Sequence, residues 1–215
     1  MDIKAIIFDL DFTLADSTEA VLVCAQAGFD YAGLPCPPQE EIVRTIGMSF
    51  QEFAAIHAGE LAESVVHGFH EESHRLGWLE STFLLPHAQE VLTELRRRNL
   101  PLGMASQKTQ PALHGMLQHL EIIDFFDVIV PGDAVPNRKP KPDALLECAR
   151  RLDIAPQAAI YVGDHPYDIL ASRAAGMRSA AVPTGCTPSA ELATHEPDWL
   201  LGSLPELLKI LDSSN

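Results

Sequence analysis

Residues 3–10 read IKAIIFDL, a short apolar run rich in isoleucine, which predicts a strand buried on both faces. The rhythm then changes. From 17 to 77 apolar positions recur at helical spacing, with breaks at LPCPP (34–38), near Gly47-Met48 and around Ala58-Gly59. This predicts one helix after another, the first of them capped by Asp16 or Ser17. From Pro86 onward the pattern alternates: helix 87–98, strand 101–106, helix 110–120, strand 126–130, helix 142–152, strand 159–163, helix 167–175 and strand 178–183. Apolar strands separated by amphipathic helices predict an α/β fold, a parallel sheet covered on both faces. The expected division is an α/β core of 1–14 plus 86–215 and an inserted helical domain of 15–85.

Open parallel sheets bind ligands at the carboxyl ends of their strands, so the polar residues there are the ones to inspect. Strand one ends in Asp9-Leu10-Asp11-Phe12-Thr13; carboxylates at i and i+2 on an extended segment point to one side and repel unless a cation or shared proton intervenes. Taken alone, D-x-D is more simply a solvated turn. The second strand ends in Ser106, followed by Gln107 and Lys108, a hydroxyl and free backbone donors suited to a phosphate oxygen or to plain helix capping. After the third strand comes Arg138-Lys139-Pro140-Lys141-Pro142-Asp143, held extended by its prolines until about Pro142. The fourth ends in Gly163-Asp164-His165-Pro166-Tyr167-Asp168, again with paired acids.

Composition narrows the options. With 30 acidic and 15 basic residues in 215, the formal charge is −15, which excludes a chain that coats nucleic acid or an anionic membrane surface. No apolar run is long enough to span a bilayer, and the N-terminal MDIKAIIFDLDFTL puts carboxylates where a signal peptide carries its apolar stretch. Cys24, Cys36, Cys148 and Cys186 form no C-x-x-C pair, so a cytoplasmic protein with reduced thiols is expected. Residues 15–85 hold eleven acids against Arg44 and Arg75, a net −9, and the remainder nets −6.

In order, D-x-D-x-T, a strand-terminal serine, K-P-x-P-D and G-D-x-x-x-D resemble the haloacid dehalogenase superfamily, in its phosphatase branch and its phosphoglycolate-phosphatase-like group. VGDHPYDILASRAAGM (162–177) and DWLLGSLPELLKIL (198–211) extend the resemblance over nearly the whole chain. It implies a Rossmann-like core with strand one central and an all-helical cap. It also implies a Mg²⁺-dependent phosphatase acting on a small phosphorylated metabolite. Asp9 would be the nucleophile forming an aspartyl-phosphate, and Asp11 the acid and then the base. The metal would take the Asp9 side chain, the Asp11 backbone carbonyl and Asp164, supported by Asp168; Ser106 and Lys139 would hold the phosphoryl oxygens, with Gln107 beside them. A phosphosugar mutase of the β-phosphoglucomutase type would use the same Asp9 and Asp11. A non-catalytic binding protein on this scaffold would be expected to have lost at least one of these groups.

Two positions depart from the family pattern. Phe12 stands where relatives usually carry glycine, so the turn is expected to avoid positive φ. His165 follows Asp164 where a small hydroxyl residue is common, and either hydrogen-bonds near the metal or faces solvent. In the cap, Arg44 near the Gly47 break is the candidate substrate contact. The cap's −9 points to a small or weakly charged leaving group. His70-Glu71-Glu72-Ser73-His74 fits H-E-x-x-H with Glu94 beyond it, but a zinc-peptidase site leaves all four strand-end motifs unexplained, and a polar helix face accounts for it.

Overall fold

A computed structural model describes residues 3–73 and 77–212. Arg75 and His74, and with them the second histidine of the H-E-x-x-H pattern, lie outside the described residues. The chain divides into two compact units, one of Met1–Asp16 with Leu84–Asn215 and one of Ser17–Phe83. It passes between them through β2 (Ala15–Asp16) and β3 (Phe83–Leu84), which pair as a two-stranded sheet.

The first unit begins with β1 (Ala5–Phe8) and resumes after β3 with α5 (Ala88–Arg97), β4 (Leu102–Ala105), α6 (Gln110–His119), β5 (Val128–Val130) and α7 (Asp143–Arg151). It closes with β6 (Ala159–Gly163), α8 (Pro166–Ala175), β7 (Arg178–Ala181), α9 (Ser189–Thr194), β8 (Trp199–Leu200) and α10 (Glu206–Asp212). Six parallel strands form one sheet in the order β5-β4-β1-β6-β7-β8. The chain builds outward from β1 on one side through β4 and β5, then crosses back to β6. This reversal of winding opens a crevice at the carboxyl end of β1.

β1, β4 and β6 are buried along their whole length, which explains their unbroken apolar runs. On α5 the buried residues Ala88, Val91, Leu92 and Leu95 follow the i, i+3, i+4, i+7 spacing, and on α7 Ala144, Leu145, Cys148 and Ala149 make a similar stripe. The α7 stripe joins Ile7, Ala105, Val130, Tyr161 and Met177 in the core.

Three of these helices end in the same way. After α5, α6 and α7 the chain enters the left-handed region at Asn99, Glu121 and Asp153, with φ of 56°, 56° and 55°. The amides of Leu100, Ile122 and Ile154 then donate back to Leu95, Leu117 and Ala149 at 3.2, 3.0 and 3.1 Å. These are Schellman closures that use non-glycine residues.

The second unit is all-helical: α1 (Thr18–Tyr31), α2 (Gln39–Arg44), α3 (Phe50–Ala58) and α4 (Ala62–Ser73). Its breaks fall at the predicted prolines and glycines. α1 and α4 approach so closely that a Cβ on Gly28 would lie 2.6 Å from the Val65 carbonyl oxygen, and one on Gly68 would lie 2.4 Å from the Tyr31 Cβ. Phe29, Ile42, Phe53 and Val65 form its core. Ser17 occupies the N-cap position of α1 but its side chain makes no capping bond; α3 instead carries the full device, Ser49 and Glu52 capping each other. The four cysteines are free thiols, and no helix among the described residues is long and apolar enough to cross a membrane.

Candidate active site

β1 hands over to Asp9, whose amide donates to the Val162 carbonyl at 2.9 Å and so keeps this residue on the carboxyl edge of the sheet. The chain then turns tightly around the Leu10 carbonyl, which accepts from the amides of Thr13, Leu14 and Ala15 at 3.2, 2.9 and 3.0 Å. Within this turn Phe12 has φ 54°, contrary to the expectation that a residue bulkier than glycine would keep φ negative. The left-handed region costs a side-chain-bearing residue about 1–2 kcal/mol. Burial of the ring offsets that cost, and so do the bonds that hold the turn: the Phe12 amide donates to Ala15 at 2.7 Å, and its carbonyl accepts from the Thr184 hydroxyl.

Asp164 and Asp168 reach the same place from β6 and the first turn of α8. The Asp168 Oδ2 accepts the His165 amide at 2.9 Å while the His165 Nδ1 accepts the Tyr167 amide at 3.1 Å. His165 is therefore the N-cap of α8, its Nδ1 turned to the helix backbone and its amide to Asp168. Burial pushes its imidazole below the usual histidine range. Two glycines make room for the acids: a Cβ on Gly163 would lie 2.2 Å from the Asp168 Oδ2, and one on Gly185 only 1.9 Å from the Asp164 Oδ2.

Asp9, Asp164 and Asp168 are all buried, and each brings a carboxylate oxygen within 4.8 Å of the others. Lys139 stands against them, its ammonium 2.7 Å from Asp168 Oδ1, 2.9 Å from the Tyr161 hydroxyl and 3.0 Å from Asp9 Oδ1. The last contact is an ion pair at an angle that leaves Asp9 Oδ1 without a hydrogen bond. Tyr161 in turn donates to the Ala105 carbonyl at 2.7 Å, tying β6 to the end of β4.

Burial pushes the Asp9 carboxyl up to about 7; Lys139 opposes the rise, and Asp168 and Asp11 add to it. Asp164 is held well above the usual carboxylate range, by burial first and then by Asp168 and Asp9. Burial disfavours the Lys139 ammonium, yet Asp168 and Asp9 outweigh it and hold its pKa well above the ordinary lysine value. Crowded, dehydrated carboxylates of this kind retain protons unless a cation replaces them. An all-oxygen donor set with one buried oxygen lacking a hydrogen bond fits a hard divalent cation.

The loop after β4 completes the arrangement. Ser106 is buried, with its hydroxyl 3.4 Å from the Lys108 amide. Gln107 turns its amide nitrogen to the Lys139 carbonyl at 2.9 Å and receives Arg138 on its own carbonyl at 2.6 Å, so it links the two loops. Lys108 closes on Asp11, Nζ to Oδ1 at 3.1 Å. Thr13 donates to Asp164 Oδ1 at 3.4 Å.

The structure thus gathers Asp9, Asp164, Asp168 and Lys139 into one cluster, with Asp11, Ser106 and Gln107 on the adjoining strand ends. Asp11 is not among the three clustered carboxylates. Arg44 belongs to the helical unit, exposed in the last turn of α2. Sequence reasoning passed over Lys108, Tyr161 and Gly185. Tyr161 left one legible sign, a hydroxyl in an otherwise apolar buried strand that has to find a partner.

Residues 6–182 match the family model described as haloacid dehalogenase-like hydrolase. The phosphoglycolate phosphatase of Escherichia coli K12 is 31% identical over 235 residues, covering 98% of this chain and 93% of that protein. That of Shigella boydii is 30% identical over the same shares of the two chains. Among solved structures, a haloacid dehalogenase-like family hydrolase from Streptococcus pneumoniae superposes with a TM-score of 0.87 at 27% identity, covering 98% of this chain and 99% of that one. A hydrolase from Pseudomonas syringae gives 0.83 at 26%, covering 98% of each. The acid-bearing strand ends, the parallel sheet and the helical insert are those of an enzyme, and the chain belongs to the haloacid dehalogenase-like hydrolase family.

Proposed function

We propose that the chain is a Mg²⁺-dependent phosphatase that hydrolyses a small phosphomonoester of the phosphoglycolate type through an aspartyl-phosphate at Asp9. The observation that carries this reading is the buried trio Asp9, Asp164 and Asp168 with Lys139 against it. Asp9, Asp164 and, in support, Asp168 would hold Mg²⁺ together with the Asp11 backbone carbonyl. When bound there, the ion supplies positive charge that lets an anionic phosphate approach an anionic carboxylate.

The chain's own residues perform the transfer. An Asp9 carboxylate oxygen attacks phosphorus in line, forming the P–O bond to Asp9 as the ester P–O bond breaks. Asp11 gives a proton to the departing alkoxide oxygen and then takes one from the water that hydrolyses the aspartyl-phosphate. Ser106 donates to a phosphoryl oxygen. Lys139 offsets charge at Asp9 and fixes its orientation.

Hydrolysis of an aryl phosphate with Mg²⁺, with EDTA and with Asp9→Asn tests this scheme. Loss of the nucleophile should reduce kcat by at least about 10³-fold, and chelation should do likewise. Activity surviving either treatment would refute the mechanism. Release of inorganic phosphate, rather than interconversion of hexose phosphates, separates this reading from a mutase.

A further inference from the structure

The two lysines of the cluster are not equivalent. Lys139 is enclosed: its side chain is 2% exposed and its ammonium already meets oxygens of Asp9, Asp168 and Tyr161. Two of its three donors are spent on Asp168 and Tyr161, and the ammonium is paired in charge with Asp9 as well. Lys108 meets one oxygen, Asp11 Oδ1 at 3.1 Å, and its side chain keeps 14% of its exposure. Among the described residues its ammonium has no second partner.

Its mounting is firm. The Lys108 carbonyl accepts the Gly132 amide at 2.8 Å, and the neighbouring Gln107 is fixed from both sides by Lys139 and Arg138. A Cβ on Gly132 would come within 2.6 Å of the Gln107 carbonyl oxygen, so the two loops are packed against each other at backbone distance. The result is a held cation with two free donors, beside the carboxylate of Asp11 rather than that of Asp9.

We propose that Lys108 determines substrate specificity, by binding an anionic substituent carried by the leaving group. This rests on the phosphatase reading above, in which Asp11 serves the departing oxygen. A cation touching Asp11 then lies on the leaving-group side of the reaction. A carboxylate one carbon from the ester oxygen is short enough to reach it, which makes a phosphate ester of a 2-hydroxy acid the matching class. The selective charge thus comes from the α/β unit, and the acidic helical insert is not required to supply it.

The test compares 2-phosphoglycolate with its carboxamide, in which the same skeleton lacks the charge. Wild-type kcat/KM should favour the acid, and Lys108→Met should raise KM for the acid by about 10–100-fold, the worth of a hydrogen bond to a charged group. The amide should lose less than the acid, so that the acid-to-amide preference collapses toward about 1, and Lys108→Arg should restore most of that preference. Equal losses on both substrates would overturn the proposal, as would a wild-type preference below about 2-fold, a comparison that needs no variant to fold. Asp9→Asn run in parallel separates the two levels. Hydrolysis persisting in that variant refutes the phosphatase scheme itself, whereas its loss alongside an unselective Lys108→Met refutes the Lys108 assignment alone.

Discussion

At Phe12 two residue-level costs compete. Glycine would relieve the left-handed backbone, a gain of about 1–2 kcal/mol, but would empty the space of a buried ring. Removing a buried phenylalanine costs about 3–5 kcal/mol, so the ring wins. Phe12→Gly should lower the unfolding free energy in urea by about 2–3 kcal/mol, and a stabilised variant would show that the strain outweighs the packing. Sequence reasoning placed Phe12 at the right point of the turn and misjudged its φ. Steric preference alone argues for a negative angle; the compensating partners, Thr184 and Gly185, stand more than 170 residues away in the chain. Lys108 was hidden for the same reason. Its partner Asp11 belongs to another strand, and a lysine near a helix start looks like any solvated one until the loops are assembled.

Among the elements, the strands and helices of the α/β unit were legible because burial on both faces writes continuous apolar runs and burial on one face writes a 3.6-residue stripe. Their ends were less so. β1 is four residues rather than the eight of its apolar run, since the chain must break pairing to present Asp9 and turn back at Leu10. β8 and α9 left little trace, being two and six residues long. The helix closures were equally silent, for Asn99, Glu121 and Asp153 take the position where sequence rules look for glycine. Glu121 has the least reason to be there, because asparagine and aspartate tolerate the left-handed region better. Glu121→Gly should therefore stabilise the protein by about 0.5–1 kcal/mol in chemical denaturation, provided the Ile122 to Leu117 bond persists. A loss of stability would mean that the glutamate side chain contributes more than its backbone costs.

At the level of the whole molecule the charge of −15 acquires a location. Four of the acids, Asp9, Asp11, Asp164 and Asp168, are drawn into the buried end of the sheet, where Lys108 pairs with Asp11 and Lys139 with Asp9 and Asp168. This crowding makes stability depend on pH in a definite direction. The folded pKa of Asp9 is raised from 3.8 to about 7. Its contribution is thus present below about 3.8 and lost as pH rises through about 7, with Asp164 acting in the same sense. Protein treated with EDTA should show Tm falling across this window, and Asp9→Asn should flatten the fall. Because carboxylates must be ionised to hold a cation, Mg²⁺ should raise Tm more at about pH 7.5 than at about pH 5. Equal shifts at the two pH values would count against a cation in this cluster.

Tyr161 gives the site an optical gauge of its own. Its phenol is enclosed between the Ala105 carbonyl and the Lys139 ammonium, and burial holds its proton well beyond the ordinary tyrosine range. The phenolate absorbs in the near ultraviolet where the phenol does not, so ionisation of this ring in strong alkali marks the moment at which β4, β6 and the Lys139 loop come apart. A difference spectrum can therefore follow the integrity of the catalytic floor without label, ligand or turnover. It would distinguish variants that have lost a reacting group from those that have lost the platform beneath it.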